Sequence, residues 1–531
     1  MNIQLVETMT AGSKRDFFVF PCRFMDRKNR LVEVRPYRED DYESVVDMYD
    51  RFEPKGIAQG LPPPEREVRL KWIENSMKSG WHMVILVEGT MAGNAVMYPM
   101  RDRERAEWGI FIHQDFQEAG IGAILAQLAR PWAASLGFRK LWLVVERFKE
   151  YSIRVYTRAG FTLKSFDDME ADMEMEISGD VSDLVNNRIE PPSPAEFNQM
   201  VGREVPLPDV TGCDSVFIHT EFVKEGPSWL ECPLIALRSE LPYTVCRNRE
   251  LLNIPGVKLF TAPEVSFRLA SFIHDAEYLR NLYMAGLGVS LKGMERHGFD
   301  PLLEPALSGA AKFSMMNIGA TLLGARLLAE TDIKTVFNPC GGYHHVLRDS
   351  SLDGCYVNDV LFAIHYLVNA GMKVFFLDLD TDRSDVLRSE FSNNEHVASL
   401  SFFEVLCGRV SQFNREIDGR QYYHGNDRHI EVPVPAYTDD RGYMALFDRN
   451  VVPMLNDFAP DVLLVQMGLE TLGICQASNI MITKPGYGNM IQKLSRIAPK
   501  ILAFGGSGQK RRSLRPAWPI AWAALISRHY F

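Results

Sequence analysis

The chain has 531 residues, with 58 Lys and Arg against 68 Asp and Glu, a formal net charge of −10, 46% hydrophobic and 24% charged residues. This balance excludes a largely disordered chain and supplies apolar side chains for sizeable cores, about three domains at roughly 150 residues each or two with one large. The acidic balance argues against a general nucleic-acid binder, and no apolar run reaches the roughly 20 residues of a membrane span.

In chain order, residues 1–30 are compositionally mixed, and an α/β pattern begins at Leu31. VEVRPY reads as a strand, and DDYESVVDMYDRF as a helix with acidic residues at its start and apolar residues at helical spacing. HMVILVEGTMAGNAVMYPM reads as two strands about a turn at Glu88 and Gly89; EWGIFIH and KLWLVVE are strands flanking the helix GIGAILAQLARPWAASLG. AGFTLKSF and ADMEMEI close a domain at 31–178, the latter alternating Met173, Met175 and Ile177 with Glu174 and Glu176. Residues 179–237 are rich in proline and polar side chains and read as a linker or bridge, with VFIHTEFV as a candidate strand inside it. From 238 to 531, strands such as TVFNP, KVFFLDLD, HVASLSFF, DVLLVQMG and ILAFGG alternate with helices such as IGATLLGARLLAE and NDVLFAIHYLVNAG. That alternation predicts a mostly parallel sheet with helices on both faces. The eight cysteines are scattered with no Cys-x-x-Cys pair, and the N-terminus shows no signal-peptide pattern, so the expectation is a cytoplasmic protein with reduced thiols.

Two motifs carry chemistry. The first is Gln117-Glu118-Ala119-Gly120-Ile121-Gly122-Ala123, directly after the strand that holds Glu107. Paired glycines admit a phosphate close to backbone N–H groups, and the following helix presents its positive end. A bare Gly-x-Gly is also an ordinary strand-to-helix turn. Its context, strand, glycine loop, helix, strand, helix and then Tyr156-Thr157-Arg158-Ala159-Gly160-Phe161, resembles the GNAT superfamily of N-acetyltransferases across residues 31–178. The resemblance implies a mixed α/β fold and acetyl-CoA as co-substrate, its pyrophosphate held at Gln117, Gly120, Ile121, Gly122 and Ala123. It further implies Glu107 as general base, Tyr156 as proton donor to the departing thiolate, and backbone N–H groups near Phe111 and Ile112 polarising the thioester carbonyl. An asparagine frequent early in the family's last helix has no counterpart in FKEYS.

The second motif is Cys340-Gly341-Gly342-Tyr343-His344-His345, followed by Cys355-Tyr356-Val357-Asn358-Asp359. Together with FIHDAEYL, FFLDLD and the terminal glycine run, it resembles the deacetylase branch of the arginase/histone deacetylase superfamily over about 260–531. There a metal-bound water attacks an amide, tandem histidines handle protons and a tyrosine assists the oxyanion. By this resemblance His344 and His345 are the tandem pair, and Asp378 and Asp385 the carboxylates that orient them. The metal ligands fall on Asp380, Asp382 and Glu470. Asp382 stands where the family has histidine, Glu470 where it has aspartate, Gln509 where it has the tyrosine, and Gly354 where it has an aromatic wall. Three carboxylates make a harder site for one divalent ion, which ranks manganese or iron ahead of zinc.

Taken together, the sequence predicts an acetyl-CoA-dependent N-acetyltransferase fused to a deacetylase-like amidohydrolase domain. Two alternatives stand beside it: an active transferase with a catalytically dead binding module, and an amide hydrolase with an acyl-CoA-sensing first domain. The acceptor is an amine, whether a protein lysine, a polyamine or a metabolite; neither nucleic acid nor membrane is an expected partner, and a homo-oligomer stays open.

Overall fold

The computed structural model describes residues 20–527 apart from 58, 167–168, 222–232, 300–306, 308, 353–354, 382–385, 406–427, 476–477 and 507–510. The chain divides into two compact units, one of Met1–Glu190, Lys224–Cys232 and Ala276–Ala311, the other of Pro191–Val223, Pro233–Asp275 and Lys312–Phe531. Among the described residues no helix is long and apolar enough to cross a membrane.

The first unit is built on one mostly antiparallel sheet of β1 (Cys22–Met25), β2 (Leu31–Pro36), β3 (Trp81–Val87), β4 (Thr90–Pro99), β5 (Arg105–Ile112), β6 (Lys140–Glu146), β7 (Thr162–Phe166), β8 (Glu170–Glu176) and the two-residue β11 (Ser290–Leu291). Their order is β11-β1-β2-β3-β4-β5-β6-β8-β7. Only β5 and β6 run parallel, and their pairing covers just Arg105↔Lys140, Ala106↔Leu141 and Glu107↔Trp142. Beyond Glu107 the two strands have no ladder, so backbone groups of Trp108–Ile112 on that edge lack a strand partner.

One face of this sheet carries α1 (Tyr42–Arg51) and α2 (Arg66–Ser79), whose Tyr49, Phe52 and Ile73 form a core with Val84 and Phe111. On the other face lies α3 (Ile121–Leu136), where Trp132 meets Trp108 edge-on at 5.5 Å between ring centroids. Helix α4 (Glu150–Arg158) follows β6. The N-terminal stretch that looked featureless thus contributes β1, whose alternating Cys22 and Phe24 are buried.

The proline-rich stretch after 178 contains ordered elements as well. Helix α5 (Gly179–Val185) is capped by Ser178, and α6 (Pro194–Glu204) opens with a reciprocal Ser193–Glu196 capping box and Pro194 at its first turn. Proline there starts a helix rather than breaking one, because its missing N–H would have no intrahelical partner. The candidate strand inside this stretch is β9 (Ser215–His219).

The second unit holds an all-parallel sheet in the order β10-β9-β12-β17-β16-β13-β14-β15. These strands are β10 (Val257–Thr261), β12 (Thr335–Asn338), β13 (Val374–Asp378), β14 (Val397–Val405), β15 (His429–Pro435), β16 (Val462–Gln466) and β17 (Ile501–Phe504) with β9. The central strands read as unbroken apolar runs since both faces are covered. In such sheets ligands gather at the carboxyl ends of the strands. The segments after β12, β13, β16 and β17 carry the second motif to that edge.

Candidate functional site

In the first unit, the chain turns from β5 into α3 through two left-handed residues, Glu118 at φ 58° and Gly120 at φ 83°. Gly120 is the helix N-cap and offers no side-chain cap; its carbonyl accepts from Ala123 N at 3.1 Å, leaving the N–H groups of Ile121 and Gly122 at the open end of a 16-residue helix. A helix start of this kind carries positive potential aimed outward. Gln117 faces elsewhere, its amide nitrogen donating to Ile112 O at 2.8 Å, which ties the loop to the end of β5. Phe111 packs edge-on with Tyr49 and Trp72, each at 5.7 Å, and so fixes the strand segment beside the gap.

Glu107 sits where the β5–β6 ladder ends, on the face opposite Trp108 and therefore toward α1 and α2. Loss of hydration at this position raises its carboxyl pKa above the ordinary value. Tyr156 lies on α4, half-buried against the Phe161 ring at 5.6 Å, and burial pushes its phenol up to about 12. A phenol so placed stays protonated at neutral pH and keeps a proton to donate.

In the second unit, His344 is buried with both nitrogens engaged: Nε2 lies 2.9 Å from Asp378 Oδ2 and Nδ1 3.0 Å from Gly342 O. Burial opposes charge on the ring, but Asp378, Asp380 and the Gly342 carbonyl outweigh it and raise the pKa to about 9. The His345 ring is tilted against it at 4.0 Å. The loop is held from behind by Asp359, which accepts from Gly342 N at 3.0 Å, Tyr343 N at 2.8 Å and Thr321 Oγ1 at 2.5 Å. Asn358 binds the carbonyls of His344 and Val346, and its own N–H donates to His274 Nε2 at 3.0 Å. His274 thereby accepts, and burial lowers its pKa to about 4, so it stays neutral.

Asp380 and Glu470 approach one another around Gly468, where a Cβ would fall 2.9 Å from Glu470 Oε2 and 3.1 Å from Asp380 Oδ1. Asp382, Asp385, Gln509 and Gly354 lie outside the described residues. Among the described residues no group of three His, Cys, Asp or Glu side chains is placed to hold a metal ion. Among the described residues this edge offers two of the three expected carboxylates, Asp380 and Glu470, both buried. Arg238, which no motif singled out, lies here too: its guanidinium carbon is 4.6 Å from the Tyr343 ring centroid. Burial opposes its charge, while Tyr343, Cys355 and Glu470 hold its pKa above the ordinary value.

A strand pair whose ladder ends ahead of a bare helix start, and tandem histidines on the carboxyl edge of a parallel sheet, are the two candidate sites that the two units present. The chain belongs to the histone deacetylase family: the family model described as "Histone deacetylase domain" matches residues 238–525, more than half of it. It also carries a GNAT domain, since the model "Acetyltransferase (GNAT) family" matches residues 42–161. Among similar curated proteins, the Caenorhabditis elegans protein named "Putative histone deacetylase 2" is 22% identical over 225 residues, 42% of this chain and 43% of that protein. Histone deacetylase B of Dictyostelium discoideum is 24% identical over 214 residues, 40% of this chain and 50% of that one. The chain thus spans about half the length of the curated relatives it matches.

Proposed function

We propose that the GNAT domain transfers an acetyl group from acetyl-CoA to an amine. The observation that carries this reading is that the β5–β6 ladder ends at Glu107, ahead of the left-handed turn that leaves the N–H groups of Ile121 and Gly122 at a bare helix start. The pyrophosphate rests on those groups and that of Gly120, with Ala123 lining the turn while its own N–H stays on the Gly120 carbonyl and Gln117 braces the loop, and backbone N–H near Phe111 and Ile112 polarises the thioester carbonyl. An ammonium acceptor, with pKa near 10.4 for a lysine, must first lose a proton, and Glu107 with its raised pKa takes it. The amine nitrogen then bonds to the thioester carbon, the C–S bond breaks, and Tyr156 protonates the departing thiolate.

For the deacetylase domain we propose amide hydrolysis at His344 and His345, with Asp378 and Asp385 orienting them and Gln509 able to donate a hydrogen bond but no proton. The paired His344 and Asp378 favour this reading. Asp380 and Glu470, joined by Asp382, would hold one divalent cation, manganese or iron ahead of zinc, whose chemistry there is to polarise the amide carbonyl and acidify water. One domain then makes the bond class that the other cleaves.

The test is thiol release from acetyl-CoA with N-α-blocked lysine, spermidine and an aromatic monoamine as acceptors. Glu107→Gln should lower turnover by about 10²-fold at neutral pH and less at high pH, where free amine is abundant. Tyr156→Phe should slow turnover while acetyl-CoA affinity stays within about twofold. Wild-type rates in both variants would remove these roles.

A further inference from the structure

The turn between β1 and β2 lies against the glycine loop, and the reaction above leaves it unused. Asn29 N donates to Asp26 O at 3.0 Å and Asp26 N to Arg30 O at 3.0 Å, while Asn29 is left-handed at φ 59° and Lys28 is not. That is a type I turn over residues 26–29 closed by a left-handed residue, with Arg27 at its second position. Each backbone donor of the turn has its acceptor. The buried Asp26 carboxylate takes two, since Oδ1 accepts from Lys28 N at 2.8 Å and from Arg30 N at 2.9 Å. Asn29 N goes to the Asp26 carbonyl. The donor left over is Arg27 N, and it points out of the turn to Ala119 O at 2.9 Å.

Two further contacts seat the hairpin. Arg30 Nε donates to Asp26 Oδ2 at 2.8 Å, and the Arg30 guanidinium carbon sits 5.4 Å from the ring centroid of Phe116, just ahead of the glycine loop. At the other end of β1, the Phe20 ring meets Trp132 of α3 edge-on at 5.9 Å. The hairpin therefore rests both on the helix and on the loop that leads into it.

The bond to Ala119 O decides which way the next N–H faces. The Ala119–Gly120 peptide is trans, so its carbonyl and its N–H point to opposite sides of the chain. With the carbonyl turned to Arg27, the Gly120 N–H is turned away from the hairpin. Among the described residues it has no acceptor, and neither have the N–H groups of Ile121 and Gly122 that follow. Ala119, Gly120 and Ile121 are buried, and buried N–H groups without an acceptor are rare in folded chains.

We infer that the β1–β2 turn is a positioning device for acyl-CoA: the Arg27 N–H fixes the Ala119–Gly120 peptide so that the Gly120 N–H meets the pyrophosphate, and Asp26 and Arg30 keep Arg27 aimed. The inference rests on the proposal that acetyl-CoA binds at this helix start. A peptide set in advance spares the ligand the cost of ordering the loop, so the turn acts on cofactor affinity and not on the chemical step.

The experiment compares Arg27→Pro with Arg27→Ala in the full chain. Both remove the guanidinium, but only proline also removes the N–H, and proline suits the second position of a type I turn. The acetyl-CoA Kd by calorimetry should be about fivefold weaker in Arg27→Pro than in Arg27→Ala. In thiol release with the three amines above, KM for acetyl-CoA should differ by the same factor while kcat agrees within about twofold, a split that a loss of folded protein would not produce. Should the melting curve show Arg27→Pro unfolded, Asp26→Ala carries the test. It releases Lys28 N and Arg30 N and should weaken acetyl-CoA binding at least about threefold, again through KM. Equal Kd in folded Arg27→Pro and Arg27→Ala, or a wild-type Kd in Asp26→Ala, overturns the positioning role and leaves the helix start as the cofactor site. Wild-type acetyl-CoA affinity in Gly122→Glu overturns the reading of the helix start itself.

Discussion

His344 lies between two acceptors, its Nε2 2.9 Å from Asp378 Oδ2 as a charge pair and its Nδ1 3.0 Å from the Gly342 carbonyl oxygen, surroundings that favour a protonated ring. Its pKa of about 9, against 6.5 unperturbed, makes it an imidazolium at neutral pH. A histidine raised in the folded state contributes stability that is complete below pH 6.5 and is lost as pH rises through about 9. Chemical denaturation of the full chain with a chelator present should therefore show the second unit losing on the order of 3 kcal/mol across that window. Asp378→Asn should flatten the slope. An unchanged slope would mean that His344 is neutral, and the tandem pair would then share its protons differently.

Asp359 is the anchor of the histidine loop. Its carboxylate, fully buried, takes two backbone N–H groups and the Thr321 hydroxyl, and burial raises its pKa to about 6. Asp359→Ala would strand three donors in the interior at a cost of about 2–4 kcal/mol, whereas Thr321→Ala removes one bond and should cost about 1 kcal/mol. Urea unfolding of the two variants measures both. Equal, small losses would show that the loop is held by its glycine packing alone.

That packing explains how much of the site the sequence revealed. The tandem histidines, Asp378, Asp380 and Glu470 announce themselves as polar residues at the ends of apolar strand runs, where burial without purpose would be costly. The doubled glycine before them is equally informative: a Cβ at Gly342 would lie 2.0 Å from Gln466 Oε1, so a side chain on one strand end demands the bare backbone on another. Arg238 left no such trace. Its role depends on a helix from a distant stretch meeting Tyr343, a tertiary fact with no local spacing. Helix α2 itself was missed because its apolar residues do not gather strongly on one face. In the stretch after 178, prolines that sit in first turns gave the composition of a linker to segments that are helical.

The two carboxylates about Gly468 set a third expectation. Asp380 Oδ1 and Glu470 Oε2 both border the space a Cβ on Gly468 would take, and Arg238 lies within electrostatic reach of Glu470. Manganese added to chelator-stripped protein should raise the melting temperature of the second unit by several degrees, since binding 100-fold above Kd is worth about 2.7 kcal/mol. Asp380→Asn with Glu470→Gln should abolish that rise. A rise that survives the double substitution would place the ion elsewhere.

The last expectation concerns the helix start that receives the pyrophosphate. Gly120 needs its left-handed φ of 83°, which an alanine adopts at a cost of roughly 1–2 kcal/mol, so substitution there mixes folding with binding. Gly122 is the cleaner probe. A Cβ on it would meet only Ile112 Cδ1, at 3.4 Å, an ordinary contact, and the helix continues through it. Gly122→Ala should therefore fold normally and, through the added helix propensity, gain up to about 1 kcal/mol. Gly122→Glu should fold as well, because a carboxylate in a first turn complements the helix dipole, but it sets a negative charge against an incoming pyrophosphate. Acetyl-CoA affinity by calorimetry should fall at least about tenfold in Gly122→Glu, and that loss should shrink at high salt as the repulsion is screened. An unchanged affinity in a folded Gly122→Glu variant would mean that acyl-CoA does not approach this helix start.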